Sequence, residues 1–500
     1  MKEFLANFWA AVRIFFSNFN AAFGDWINFL LIAAVVVFFT IAIIRCFMAS
    51  VKAGRNRKAL EGREPDAEKK QRAAQRLQKA VQIPSVAGDR KAMADMAAYL
   101  RECYEQAIPG LRWVTTEDGS LLIRWAGQDE DLEPVLFCGH MDIAPVQGDW
   151  VHAPFGGEID GDMLYGRGAV AGKSTIITML EAVENLSKNG FTPRRDVYFA
   201  LGSDETSGGK VGAAGMAEVF RRRGMRFAAV VDEGGWIVED HMGAPNHAAA
   251  IIGLGEKQSC DFVLEANVKG GDSSVPGHRT ALGSLAEAIC RMDGAQPHHH
   301  LSSLTREYLN RSMYALPFAK RLVISNMPLS EPLLTWVFRD DRTALAQLRS
   351  TVTATQISGS EAANMLAAKA QARINARLIT GENPENMLRY LRELVEDLPV
   401  TMELVDNTEA VPVTDAEAPM YKVLCNAIGE VYPALPCIGM LCPGKTDSRH
   451  YADMSDCILR FAPLVQTLRQ SRGAYRAEEH VSLHALGVAV EIYENFFKKL

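Results

Sequence analysis

The chain has 500 residues, 48% of them hydrophobic, and a formal net charge of −7 at pH 7. This length allows about three domain-sized units, and the hydrophobic fraction is ordinary for a chain that buries a core. The negative charge, without a long basic block in the globular part, argues against nucleic acid as a partner. Nine scattered cysteines, odd in number and without a C-x-x-C pair, favour free thiols in a reducing compartment.

The first predicted element is a transmembrane helix over residues 26–44, where the chain reads WINFLLIAAVVVFFTIAII. As a helix this run spans about 28 Å, close to the roughly 30 Å of a bilayer core. No small-residue cleavage site follows, so we expect a retained anchor. An apolar stripe within residues 1–25 suits an amphipathic helix in the membrane interface, or else packing on the soluble body. The stripe consists of Phe4, Phe8, Val12, Phe15, Phe19 and Phe23.

Basic residues are more frequent after the predicted span than before it. Lys2 and Arg13 precede it, whereas five basic residues follow it, namely Arg45, Lys52, Arg55, Arg57 and Lys58. The positive-inside rule therefore places the C-terminal flank and the large domain in the cytoplasm. The sequence predicts a single-pass membrane protein with a cytoplasmic soluble domain.

Beyond a polar linker at residues 45–70, strand and helix signals alternate as in an α/β domain. Three short apolar runs end in polar residues: one at His140, one before Asp204 and Glu205, and one at Asp232. Open α/β sheets place their sites at such carboxyl ends. Residues 259–407 read as β-α-β-α, and the α/β pattern returns over 408–500. We predict an α/β catalytic domain (71–258 and 408–500) interrupted by an inserted α+β domain (259–407).

The stretch GRGAVAGKS, residues 166–174, superficially matches a phosphate-binding loop. The Walker spacing needs four residues between its first glycine and the Gly-Lys-Ser triplet, and Arg167 occupies the position where that glycine should stand. The spacing therefore argues against a nucleotide site.

The polar residues at the strand ends, together with a later histidine, suit zinc or a similar divalent ion. Singly, each of them is more often an ordinary surface or core residue, but at consecutive strand ends they favour a metal site. They are His140, Asp142, Asp204, Glu205, Asp232 and His450.

Several motifs follow one another in order along the chain, among them GHMDIAPV, PFGGEIDGDMLYGRGAV, VVDEGG, GGDSSVPGHRTALG and PGKTDSRHY. With these motifs the chain resembles, over residues 70–500, the dinuclear zinc metallopeptidases that include carboxypeptidase S, the aminoacylases, glutamate carboxypeptidase and succinyl-diaminopimelate desuccinylase. The resemblance is greatest to the carboxypeptidase S branch, which includes hydrolases of N-acyl amino acids. It implies a zinc-peptidase-like catalytic domain, an inserted ferredoxin-like lid and dimerisation domain, two zinc ions, a homodimer, and a small peptide or N-acyl-amino-acid substrate.

The resemblance also implies roles for individual residues. His140 and Asp232 would hold one metal, His450 would help to hold the other, and Asp142 would orient His140. Glu205 would be the general base for a metal-bound water. Three further positions, Asn364, Arg377 and Gly444, would bind the substrate; the arginine fork suits a carboxylate, with a surface salt bridge as the alternative.

The chain departs from the family pattern at three places. Ala171 stands where the family has an aspartate that bridges both metals, and Asp272 stands where it has a histidine that stabilises the oxyanion. The family's Glu-Glu pair corresponds to Asp204-Glu205-Thr206 in one of two registers. In the first, which we favour, Glu205 is the base and Thr206 replaces a ligand; in the second, Asp204 is the base and Glu205 a ligand.

These departures lead to two functional hypotheses. Loss of supporting groups around a metal typically costs about 10–100-fold in affinity or activity, and loss of one oxyanion donor about 10²–10³ in rate. The first hypothesis is therefore a metal-dependent hydrolase of peptide or N-acyl-amino-acid amide bonds with impaired activity. The alternative is a catalytically inactive, membrane-anchored binding or scaffold protein.

Overall fold

A computed structural model describes residues 9–10, 12–14, 25–53, 59–60, 63–298, 300–327, 329–360, 362–471 and 473–500. The chain forms two compact units, one from Met1–Arg55 with Leu309–Val337 and the other from Asn56–Tyr308 with Phe338–Leu500. The amphipathic helix predicted within residues 1–25 lies almost entirely outside the described residues.

The helices of both units are numbered in chain order. They are α1 (Asp25–Ala53), α2 (Ala67–Val81), α3 (Arg90–Tyr104), α4 (Lys173–Lys188), α5 (Gly212–Arg222), α6 (Ala281–Gly294), α7 (Ser303–Ser312), α8 (Phe318–Ser325), α9 (Leu334–Val337), α10 (Arg342–Leu348), α11 (Pro384–Glu393), α12 (Pro419–Val431), α13 (Leu468–Ser471) and α14 (Leu483–Phe497). Short 3₁₀ turns at Glu205–Ser207 and Asp447–Tyr451 carry the candidate site residues Glu205, Asp447 and His450.

The strands are likewise numbered in chain order. They are β1 (Leu111–Thr115), β2 (Leu121–Trp125), β3 (Val135–His140), β4 (Ile159–Asp160), β5 (Met163–Tyr165), β6 (Val197–Gly202), β7 (Ala229–Asp232), β8 (Ile237–Val238), β9 (Ala249–Glu256), β10 (Gln258–Asn267), β11 (Gly271–Asp272), β12 (Thr351–Ser358), β13 (Met365–Leu366), β14 (Lys369–Leu378), β15 (Val400–Asn407), β16 (Cys437–Cys442), β17 (Ile458–Arg460), β18 (Val465–Gln466) and β19 (His480–Ser482).

In the first unit, α1 is longer than the predicted span and continues nine residues beyond its predicted end at residue 44. Its segment Phe29–Val51 has a mean hydropathy of 2.7, long and apolar enough to cross a membrane. Among the residues of this helix whose burial is described, from Phe29 to Val51, Ala42 and Cys46 are buried, and the helix contacts helices within Leu309–Val337. By length and composition, α1 is a candidate membrane anchor.

The second unit is built on a ten-stranded mixed sheet in the order β1-β2-β6-β3-β7-β17-β9-β8-β18, with β16 paired to β9. Its centre is parallel, since β6, β3, β7 and β17 run in the same direction. Parallel strands are covered on both faces and therefore read as continuous apolar runs, as β3 does, with every residue buried. Helices α2, α4, α12 and α14 contact one another in the core layer beside this sheet. The predicted α/β class is confirmed.

A separate antiparallel sheet, β12-β14-β10-β15, has its own hydrophobic core with helices α6 and α11. Strands β10 and β14 pair over ten residues each, and burial alternates along both, as expected for a sheet with one covered face. The β-α-β-α pattern predicted for residues 259–407 omits the sheet strands β12 and β15, the short strands β11 and β13, and the helices from α7 to α10. The role of this sheet as a lid or a dimerisation surface stays a prediction.

Candidate metal centre

Three side chains meet at the carboxyl edge of the parallel strands: His140 ends β3, Glu205 follows β6, and Glu233 follows β7. One ligand atom of each lies within 4.8 Å of the others, and within the described part of the chain this is the group that could hold a metal ion. His140 Nε2 lies 3.2 Å from Glu233 Oε1 and 4.0 Å from Glu205 Oε2. Because neighbouring parallel strands end at the same edge, residues far apart in sequence converge here.

Asp142 fixes the geometry of this group. His140 Nδ1 lies 2.8 Å from the backbone carbonyl oxygen of Asp142, which leaves Nε2 facing the two glutamates. The Asp142 carboxylate accepts the N–H groups of Glu205 and Thr206 at 3.1 and 2.9 Å, and the Thr206 hydroxyl at 2.6 Å. Although burial opposes it, hydrogen bonds with His140 and Thr206 lower the pKa of Asp142 to about 2. A charged carboxylate therefore orients both the ring and the turn that carries Glu205.

The centre contains more negative charge than its surroundings balance. Burial raises the pKa of Glu205 to about 7, with Glu233 adding to the shift and His140 opposing it. Burial and the Glu233 charge raise the pKa of Asp232 to about 6. Buried Asp447 has no hydrogen-bond partner for either carboxylate oxygen among the described residues, and burial with the Glu205 and Asp232 charges holds its pKa well above the ordinary value. Repelling buried carboxylates beside an imidazole nitrogen are a donor set that fits a divalent cation.

Two residues predicted as metal ligands lie outside the three-residue group. Asp232 Oδ1 accepts the N–H of Glu233 at 2.9 Å, and its Oδ2 accepts the N–H of Ser448 at 2.6 Å. His450 Nε2 lies 3.2 Å from the carbonyl oxygen of Gly208. Of the predicted ligands, the structure brings only His140 into the group, and Glu233 stands beside it where we expected Asp232.

The structure distinguishes the two carboxylates of the acidic pair. Asp204 accepts the N–H groups of Val211 and Gly212 at 2.9 and 2.8 Å, at the start of α5. Glu205 instead points toward His140. This arrangement corresponds to the register in which Glu205, and not Asp204, faces the metal centre.

The turn at residues 166–172 passes directly over His140. Gly172 has φ of 81°, and a Cβ on it would lie 2.7 Å from His140 Cε1, so the close approach requires glycine. The buried Ala171 side chain carries no atom that could bind a metal. Glu479 organises the turn, since its Oε1 accepts the N–H groups of residues 168, 170 and 171 at 3.1, 2.9 and 3.3 Å.

The lysine of the GKS triplet is structural. Lys173 is buried, and its Nζ donates hydrogen bonds to the carbonyl oxygens of Ala80 and Ile83 at 2.8 and 2.6 Å. This ammonium group is thus held inside the protein, in agreement with the argument from spacing against a phosphate loop.

The predicted substrate-binding residues lie on the inserted sheet and on a connecting turn, and none belongs to the His140 group. Arg377 is half-buried on β14; its Nε donates to Asn375 Oδ1 at 3.1 Å, and its Nη1 is buried without a partner among the described residues. Asn364 and Asp272 are exposed neighbours next to the β11–β13 pair. Gly444 is exposed in the turn after β16.

Sequence reasoning missed Glu233 and Asp447. Glu233 directly follows Asp232 in VVDEGG. Adjacent side chains of a strand point to opposite faces, so only one of the two acids is expected to face the site, and the strand period does not say which one. Asp447 lies in the TDSRHY motif, in which His450 is the residue predicted as a ligand. The available signal was a further acid close to a residue already selected, adjacent to Asp232 for Glu233 and three residues before His450 for Asp447.

An imidazole and several carboxylates at the carboxyl edge of a parallel sheet, with an antiparallel sheet inserted in the chain, fit the class of metal-dependent α/β proteins. The sequence model of peptidase family M20/M25/M40 matches residues 136–499, and the chain belongs to this family.

Individual relatives agree with this assignment. The chain is 29% identical over 386 residues to the probable carboxypeptidase S-like 2 of Dictyostelium discoideum, covering 76% of this chain and 74% of that protein. It is 28% identical over 428 residues to the human N-fatty-acyl-amino acid synthase/hydrolase PM20D1, covering 83% and 85%. Human carnosine dipeptidase 1 has a similar fold, with a TM-score of 0.63 at 15% identity, covering 86% of this chain and 97% of that one. The predicted resemblance and the hydrolase class are confirmed.

Proposed function

We propose that this chain is a membrane-anchored, metal-dependent hydrolase that cleaves the amide bond of N-acyl amino acids or small peptides. The observation that carries the proposal is the His140–Glu205–Glu233 group beside the unpaired carboxylate of Asp447. The names of the relatives point to the same substrates, since they include a carboxypeptidase S-like protein and an N-fatty-acyl-amino acid hydrolase.

In this proposal His140 Nε2 and the Glu233 carboxylate hold one divalent ion, with zinc as the expected metal because it accepts nitrogen and carboxylate ligands. When bound, such an ion polarises a carbonyl group and lowers the pKa of a coordinated water. Asp142 keeps the His140 ring in the orientation that leaves Nε2 available, as carboxylates behind metal-binding histidines commonly do.

Glu205 is the proposed proton carrier of the reaction. Its pKa of about 7 is close to neutral pH, where a general base is most effective. Its Oε2, 4.0 Å from His140 Nε2, takes a proton from the attacking water and returns it to the leaving amine. The 3₁₀ turn and the bonds from Asp142 hold this carboxylate in place.

The residues present support one ion better than two. Ala171 supplies no ligand atom, the Thr206 hydroxyl is engaged by Asp142, and His450 Nε2 lies against a backbone carbonyl. These three features also favour the second candidate function, a membrane-anchored protein that binds its ligand without cleaving it.

A metal titration combined with a hydrolysis assay tests the proposal. The full chain in detergent micelles is stripped with a chelator and titrated with Zn²⁺ by calorimetry. We expect one ion per chain, weaker binding in His140→Ala and Glu233→Gln, and unchanged binding in Glu239→Gln, an exposed acid a few residues further along.

The same samples are then assayed against N-acetyl to N-oleoyl amino acids and dipeptides. Cleavage that is lost in Glu205→Gln supports the hydrolase. One bound ion without cleavage of any substrate supports the binding protein, and the absence of bound zinc contradicts the hydrolase.

Two further parts of the proposal concern location and assembly. We place the soluble unit in the cytoplasm on the basis of the positive residues after the span, which protease protection in sealed vesicles tests. We also expect a homodimer through the inserted domain, and a strictly monomeric species in sedimentation would contradict it.

A further inference from the structure

The segment Leu309–Val337 belongs to the same compact unit as α1, although almost 260 residues separate the two in sequence. Helix α8 and the preceding 3₁₀ turn at Met313–Ala315 both contact α1. Two residues of α1, Ala42 and Cys46, are buried and lie one turn apart on the same side of the helix. Asn326 Nδ2 donates a hydrogen bond to the carbonyl oxygen of Ala42 at 3.2 Å.

The contact lies within the apolar segment of α1 and not beyond its end. At 1.5 Å per residue, Ala42 is about 20 Å from Phe29 and about 14 Å from Val51 along the Phe29–Val51 span. The exposed Arg45, three residues further on, marks this level as the part of the span nearest the headgroups. Any helix packed against Ala42 and Cys46 must therefore share the membrane depth of this level.

The same segment exposes large apolar side chains that a water-facing surface does not explain. Phe318, Leu329, Leu333 and Trp336 are 53%, 69%, 48% and 49% exposed within 19 residues. Isolated exposed apolar residues are normal, but a group beside an apolar helix marks an interaction surface. Tryptophan is enriched where proteins meet the headgroup level, which suits the position of Trp336 in this segment.

We propose that Leu309–Val337 is a second membrane element, which lies in the bilayer interface against α1 and inserts Phe318, Leu329, Leu333 and Trp336 among the lipids. The occupant of this surface is the bilayer itself. The inference rests on the membrane anchoring proposed above, and it adds a contact made by a segment inserted deep in the soluble part of the sequence. Interfacial segments of this kind bury their apolar face about 5–10 Å into the headgroup and acyl boundary.

Photolabelling from within the bilayer tests the proposal. The full chain is reconstituted in vesicles of phosphatidylcholine and phosphatidylglycerol that contain a lipid with a carbene precursor in its acyl chain. After illumination, tryptic peptides are mapped by mass spectrometry. We expect label on α1 and on the peptides 312–320 and 322–339, which contain the four exposed residues. Peptide 270–279, with Val275 81% exposed, is the control and should stay unlabelled.

Each outcome tests the membrane contact of Leu309–Val337 separately from the anchoring by α1. Label on α1 but not on 312–320 or 322–339 overturns the inference and leaves the anchor intact; a second copy of the chain covering the surface gives this result. No label on α1 overturns the anchoring as well. Label on 270–279 equal to that on 322–339 also overturns the inference, because the reagent then reports exposure and not depth.

A variant gives a quantitative check. In Leu329→Glu/Leu333→Glu, labelling of 322–339 should fall by about tenfold, which corresponds to about 1.4 kcal/mol, while labelling of α1 is unchanged. Val275→Glu, which adds the same charge to another exposed apolar site, should leave both labels unchanged. Equal labelling of 322–339 in the parent and in the double variant contradicts the proposal.

Discussion

The buried ion pair between Arg167 and Glu479 gives the sharpest test of how the turn over His140 is held. The two side chains are 1% and 0% exposed, and Arg167 Nη1 lies 2.7 Å from Glu479 Oε2. The other oxygen of Glu479 accepts three backbone N–H groups of the turn. The substitution Glu479→Gln keeps the size and one carbonyl oxygen for those amides, but it removes the charge opposite Arg167.

A buried charge that loses its partner typically costs about 3–5 kcal/mol in the free energy of unfolding. For a cooperative unit of about 400 residues, the entropy of unfolding is about 0.8 kcal/mol/K, so Tm should fall by about 4–6 °C. Thermal unfolding of the full chain in detergent, followed by near-ultraviolet circular dichroism, measures this shift. Glu478→Gln is the matched control: Glu478 is 32% exposed and pairs with His152, and such pairs contribute at most about 1 kcal/mol.

A second variant separates charge from shape. In Arg167→Met/Glu479→Gln the unpaired charge is gone while the amide oxygen still accepts from the turn, so most of the lost Tm should return. If Glu479→Gln unfolds at the same temperature as Glu478→Gln, or if the double variant is no more stable than Glu479→Gln, the buried pair does not hold the turn as we argue.

Three further predictions concern the same turn and its neighbours. Gly172→Ala should weaken Zn²⁺ binding by at least about tenfold in calorimetry, because the new Cβ would clash with the His140 ring. Gly190→Ala is the control, since Gly190 also has a positive φ but lies in open space, and it should leave Zn²⁺ binding unchanged. Equal effects of the two substitutions would contradict the steric argument. Ala171→Asp should raise the zinc stoichiometry from one to two per chain, and an unchanged stoichiometry would show that the missing carboxylate is not what prevents a second ion. Burial lowers the pKa of Lys173 to about 7, so between pH 7 and about 10 this residue binds more protons in the unfolded chain and makes the free energy of unfolding rise with pH. Buried Lys257, whose pKa is also lowered to about 7, contributes a similar rise. Lys173→Met should therefore make the slope of the free energy of unfolding against pH smaller, and an identical slope in both proteins would refute the assignment.

The strands that carry the candidate site could be predicted from the sequence because buried parallel strands appear as continuous apolar runs. Their apolar runs are buried on both faces and end at polar residues, so the sequence could point to His140 at the end of β3 and to Glu205 in the polar turn after β6. Their convergence then follows from topology alone. The family motifs sharpened this prediction but did not create it.

Other features of the candidate site and of α1 could not be predicted from the sequence, because they depend on the direction of the backbone and on contacts between distant residues. The choice between Asp232 and Glu233 depends on how the chain leaves β7, which Gly234 with φ of 125° helps to set. The role of Glu479 depends on a contact across about 310 residues. Helix α1 runs past Arg45 because a charged residue does not end a helix whose next turn buries Cys46. None of these has a local signal.

The charge balance of the centre bears on whether one ion is enough for hydrolysis. Four carboxylates, those of Glu205, Asp232, Glu233 and Asp447, interact with one another and with His140, and the raised pKa values of Glu205 and Asp232 show that they do not all ionise easily together. One bound divalent ion would balance two of these charges, and a shared proton would lower the remaining negative charge. A proton held near Glu205 at neutral pH is what general acid–base catalysis needs. In the proposed function, the chain would lack the stabilisation of attacking and leaving groups that two metals provide. It would keep the activation of water by one metal and the proton transfer by Glu205.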